Sequence, residues 1–102
     1  MVAEAEEILE LNVSGETSGF TVRRSLLCSV GGSGLEAMFS GRHHLPKLNG
    51  KIFVDRDPKA FSLVISYLRN NFQLPKKLDE LTLEMATMEL EFWGLLVKHE
   101  QP

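Results

Sequence analysis

The chain has 102 residues, 25% of them charged, with a net charge of −3 at neutral pH and a single cysteine. That is enough for one hydrophobic core without staples, and the acidic balance argues against a nucleic-acid or anionic-membrane surface. With Cys28 alone, an intrachain disulfide and a cysteine-built zinc site are excluded. No apolar run approaches the roughly 20 residues needed to span a bilayer, and no basic-then-apolar leader is read at the start.

Residues 1–7 are acidic and small and read as a flexible lead-in. Leu9, Leu11 and Val13 then alternate with Glu10 and Asn12, which predicts a half-buried strand. Residues 14–19 carry turn chemistry, and Phe20-Thr21-Val22 returns as the second strand of a hairpin. A short helix is predicted over 24–29, interrupted by Gly31 and Gly32. Ser33 followed by Glu36 fits a capping box, so a second helix runs to Phe39 and Gly41 closes it.

Residues 43–50 read as a polar loop ending in the turn pair Asn49-Gly50, and 51–54 as a third strand. Asp57-Pro58 marks a helix start, with Asp57 as N-cap and Pro58 in the first turn. Phe61, Val64, Ile65 and Leu68 form that helix's buried stripe, and Asn70-Asn71 and Pro75 end it. Asp79 caps a last helix with two apolar rows, Leu81-Met85-Met88-Phe92 and Leu83-Ala86-Leu90-Trp93. Two rows imply either a wide buried face or core on one side and a partner on the other. Gly94 breaks this helix before a short tail. The order of elements is α+β, not regularly alternating.

Little in the chain points to catalysis. Asp57 is better used as a cap and Asp55 as a charge partner than as an acid–base pair, since no pocket or third group accompanies them. Adjacent His43 and His44 rarely aim at one ion, and His99 adds nothing to them. Residues 31–34 lack the lysine of a phosphate loop. Cys28 sits among apolar neighbours as a small core residue, and the aromatic residues lack the basic interleaving that nucleobase stacking requires.

Five segments taken in order carry more information than any of these. Leu11-Asn12-Val13-Ser14-Gly15, Met38-Phe39-Ser40-Gly41-Arg42, Phe53-Val54-Asp55-Arg56-Asp57, Tyr67-Leu68-Arg69 and Glu89-Leu90-Glu91-Phe92-Trp93-Gly94 follow one another across residues 8–96. Together they resemble the potassium-channel tetramerisation domain, the T1 branch of the BTB/POZ fold, and are most similar to the soluble channel-tetramerisation-domain-containing group. Ser14 departs from that pattern, where a glycine is usual, and the hairpin is two residues longer. No cysteine follows Cys28, so the zinc site that some channel members carry between subunits is not carried over.

The resemblance implies a three-stranded sheet with a hairpin packed against short helices, over a domain of residues 8–97 with a tail at 98–102. It implies a cytoplasmic, non-enzymatic protein that needs no cofactor or metal and assembles with itself as a tetramer or pentamer. Some members of the group are adaptors for cullin-3 ubiquitin ligases, which makes cullin-3 a candidate partner. Arg42, Asp55, Arg56, Asp57 and Arg69 are the charges expected at the subunit interface, and Phe39, His43, His44 and Lys47 the expected partner surface. The alternatives are the cytoplasmic tetramerisation domain of a voltage-gated potassium channel and, remotely, a metal-dependent hydrolase built on Asp55, Asp57 and the histidines.

Overall fold

A computed structural model describes residues 6–15 and 20–96. The tail, most of the lead-in and residues 16–19 of the lengthened hairpin turn lie outside the described residues. The elements are β1 (Ile8–Val13), β2 (Phe20–Arg23), α1 (Arg24–Leu27), α2 (Gly34–Phe39), β3 (Lys47–Leu48), β4 (Lys51–Val54), α3 (Pro58–Arg69) and α4 (Glu80–Phe92).

The sheet has four strands in the order β2-β1-β4-β3, one more than expected. β1 and β2 form the antiparallel hairpin, while β4 joins the other side of β1 in parallel. The added strand, β3, is two residues long and pairs Lys47 with Ile52 and Leu48 with Lys51. It is too short and polar to show an alternating pattern. Its turn was legible: Asn49 and Gly50 both have positive φ, 53° and 79°, as a two-residue hairpin loop demands.

The alternation in β1 places Leu9, Leu11 and Val13 against the helices. Phe61, Val64, Ile65 and Leu68 of α3 meet them, and Leu27, Leu35, Phe39, Leu90 and Trp93 complete the core. Phe61 is the aromatic hub, edge-on to Phe20 at 5.6 Å and to Trp93 at 5.9 Å. Each longer helix starts as its cap predicts: Asp57 accepts from the Lys59 N–H at 3.0 Å and Asp79 from the Thr82 N–H at 2.7 Å.

The end of α4 fixes where that helix sits. Gly94 adopts φ 74°, and the Leu95 N–H reaches back to the Leu90 carbonyl at 2.9 Å. The Trp93 carbonyl then accepts from the Leu35 N–H at 3.1 Å, joining α4 to the start of α2. A Cβ at Gly94 would stand 3.1 Å from the Gly34 nitrogen, so this junction needs glycine for both conformation and room.

Candidate protein-interaction surfaces

Of the five charges expected at an interface, Arg56 has the most elaborate surroundings, and they lie within the chain. Its guanidinium donates to Glu89 twice, Nε to Oε2 at 2.9 Å and Nη2 to Oε1 at 2.7 Å. Trp93 Nε1 donates to the same carboxylate at 3.0 Å, and the guanidinium carbon lies 3.6 Å from the centre of the Phe92 ring. The Glu89 side chain is only 4% exposed and that of Arg56 32%. Hydrogen bonding to Glu89 raises the Arg56 pKa above its already high ordinary value, so the guanidinium remains charged. The loop before α3 is thereby fastened to α4.

Asp57 serves as the α3 cap, and Arg69 donates from Nη2 to the Thr21 carbonyl at 3.2 Å, tying the end of α3 to β2. Asp55 and Arg42 are exposed and have no salt-bridge partner among the described residues.

The expected partner surface divides. Phe39 is wholly buried and belongs to the core: Leu35 and Phe39 are four apart and share the inner face of α2. His43, His44 and Lys47 are exposed and line one cleft of about 540 Å³ beside the first half of β1. Within it Arg24 pairs with Glu7 at 2.9 Å, which lowers the Glu7 pKa through the hydrogen bond and the positive charge. Arg24 Nη1 also donates to the Phe39 carbonyl.

The outer face of α4 carries a row of uncovered apolar side chains. Leu81, Met88 and Phe92 are 71%, 63% and 56% exposed, with Met85 half-buried between them. They follow the i, i+4, i+7, i+11 spacing of one helix face. Ala86, Leu90 and Trp93 face the core, while Leu83, assigned to the same row, is exposed. Glu80, Glu84 and Glu91 are also exposed, and α4 carries no basic residue. A contiguous stripe of large apolar side chains edged by charge is a feature that interaction sites share.

Among the described residues no three His, Cys, Asp or Glu side chains gather as a metal site would require. Burial raises the pKa of Cys28, with Glu36 adding to it, so the thiol is kept protonated and poorly nucleophilic. No helix of the described residues is long and apolar enough to cross a membrane.

The described residues thus form a short sheet packed against helices, with polar element ends and an exposed apolar row on α4. Residues 9–101 match the BTB/POZ domain family, and the chain belongs to that family in its potassium-channel-tetramerisation form. The chain is 34% identical to the human BTB/POZ domain-containing protein KCTD3 over 96 residues, covering 91% of this chain and 11% of that protein. It is 34% identical to KCTD18 of Bos taurus over 93 residues, 90% of this chain and 21% of the relative. The potassium channel regulatory protein of Bos taurus is 43% identical over 65 residues, 63% of this chain and 24% of its own length. The chain thus spans a quarter or less of each of these relatives.

Proposed function

We propose that residues 8–97 form a self-assembling domain, closing side by side into a ring of four or five, that recruits a further protein as a soluble cytoplasmic adaptor does. Cullin-3 is the proposed partner, and the domain itself performs no catalysis. The observation that carries this reading is the outer stripe of α4: Leu81, Met88 and Phe92 are largely exposed although Ala86 and Leu90 on the opposite side of the helix are buried. Exposed Asp55 and Arg42 are proposed as self-contacts, because a head-to-tail surface needs complementary charge at two separate places. Arg56, Asp57 and Arg69 are proposed to contribute by holding the neighbouring backbone rigid. His43, His44 and Lys47 are proposed to extend the partner surface.

The test is absolute mass by light scattering after size exclusion, over a concentration series. A discrete tetramer or pentamer is expected, and a monomer at every concentration would overturn the assembly reading. A pull-down with cullin-3 that gives no signal above background would remove the adaptor role and leave assembly standing. The likeness to a potassium channel regulatory protein favours a second reading, a domain that co-assembles with channel tetramerisation domains. Mixed oligomers with such a domain, seen by native mass spectrometry, would select it.

A further inference from the structure

β1 is longer than the ladder it makes with β4. It pairs with β2 from Ile8 to Leu11, but with β4 only from Leu11 onward. Backbone groups of an extended strand alternate in direction, and two hydrogen bonds fix the phase here. The Glu7 carbonyl accepts from the Arg24 N–H on the β2 side at 3.0 Å, and the Ser14 N–H donates to the Val54 carbonyl on the β4 side at 2.8 Å. Odd-numbered residues therefore bond toward β2 and even-numbered ones toward β4.

It follows that the N–H and C=O of Ile8 and the N–H of Glu10 point to the β4 side, short of the first rung at Leu11 and Ile52. There β4 has turned away through Asn49-Gly50 into β3. None of the three groups has a hydrogen-bond partner among the described residues. The cleft of about 540 Å³ opens beside them, a size that suits a bound ligand.

The charge around this cleft is uneven. Glu7 and Arg24 neutralise one another at 2.9 Å. What is left is Glu10 on the β1 wall against Lys47 and Lys51 on the hairpin wall, where neither lysine has a salt-bridge partner among the described residues. In a chain of net charge −3 this is a local cationic wall. Ile8, 53% exposed, adds an apolar contact on the β1 wall.

We propose that this cleft receives an extended acidic segment of another protein, which adds to the open edge of β1 as a short strand. Only an extended backbone answers three main-chain groups in a row, and alternate side chains supply the specificity of such a contact. The register sets Lys47 on the same side of the sheet as Ile52 and Lys51 on the side of Ile8. Acidic side chains on one face of the added strand therefore meet Lys47, and β-branched ones on the other face lie against Ile8 and the stem of Lys51. A second copy of this chain is the poorer occupant, since each antiparallel β1–β1 register that answers Ile8 and Glu10 brings Glu10 opposite Glu6 or Glu10 of the other strand, or diagonally beside its Glu10. The inference goes beyond the assembly reading and uses a different face from the α4 stripe.

The probe is a fluorescently labelled, end-capped hexapeptide of alternating glutamate and valine, titrated into the full chain at low salt and followed by anisotropy. Saturable binding is expected, at least tenfold weaker for the lysine–valine counterpart and for a hexapeptide N-methylated at alternate amides. The double variant Lys47→Glu, Lys51→Glu should bind at least fivefold more weakly, with its circular dichroism and thermal midpoint unchanged. Hydrogen exchange should slow at least tenfold at the Ile8 and Glu10 amides on binding, and not at Leu9 or Leu11. Equal binding of both peptides, no saturation, or protection elsewhere would overturn the proposal. So would amides at Ile8 and Glu10 already protected in the free protein, which would mean that a second copy or residues 1–5 hold the edge. Oligomer mass bears only on a protected free edge, where it tells a second copy from residues 1–5; peptide binding is read from anisotropy alone, so this proposal and the assembly reading fail separately.

Discussion

Replacing Arg56 with alanine removes both hydrogen bonds from a carboxylate that is 4% exposed, together with the cation stacked on Phe92. Glu89 retains Trp93 Nε1 at 3.0 Å, so it loses its charge partner and keeps one neutral donor. Stranding one member of a buried pair costs about 3–5 kcal/mol. The Arg56 end is 32% exposed, so water enters on that side and the lower end, about 3 kcal/mol, is expected. In a domain of this size that is a fall of roughly 12–24 °C in Tm.

The assay is urea unfolding followed by fluorescence of Trp93, the chain's single tryptophan, at fixed protein concentration. Glu89→Gln leaves Trp93 an acceptor and should cost about 1–2 kcal/mol alone. The double variant should cost less than the sum of the singles, with a coupling of about 2 kcal/mol. A loss below about 1 kcal/mol for Arg56→Ala, or a coupling near zero, would refute the reasoning. If the oligomer mass fell at the same time, Arg56 would act between subunits instead.

Three further outcomes are expected. Gly94→Ala should destabilise by about 1–3 kcal/mol in thermal melts, because it forces a left-handed alanine 3.1 Å from the Gly34 nitrogen. Met88→Glu should leave stability within about 0.5 kcal/mol yet reduce capture of the partner in a pull-down, the signature of a surface role. The Asp79 pKa is lowered by its hydrogen bonds to Thr82, so the cap's contribution is fully present above the ordinary aspartate range. It is lost as pH falls through the depressed folded-state value, and the Thr82 amide chemical shift should titrate below the usual aspartate midpoint.

The long helices were legible because their caps and stripes are local: Asp57-Pro58 and Asp79 open them, and Phe61 to Leu68 repeats at helical spacing. The parallel β1–β4 pairing was not, because no periodicity says which strands become neighbours. Phe39, placed on a partner surface only through the resemblance, lies in the core, as its spacing from Leu35 on α2 allows. Glu89 was overlooked because an acidic residue on a helix is usually solvated. Its partner is a residue 33 positions earlier in the chain, and only tertiary packing joins them. The open edge of β1 is an absence of pairing, which a sequence does not display. Among the charges expected at an interface, residue type was readable but direction was not: Arg56 and Arg69 face their own chain while Asp55 and Arg42 face water.

The parallel junction of β1 with β4 also governs how quickly this chain acquires its structure. The β1–β2 hairpin closes over a short loop and forms in about 1–10 μs. Leu11 and Ile52 meet only after both α1 and α2 have been traversed, and that closure entropy is lost before any rung rewards it. The β4 edge of β1 is therefore the last part of the sheet expected to pair, and an unpaired strand edge is where a chain is open to wrong association. Ile52→Val, at the half-buried first rung, should cost about 0.5–1.5 kcal/mol, and the share of that loss carried by the folding rate measures how far this step has advanced in the transition state.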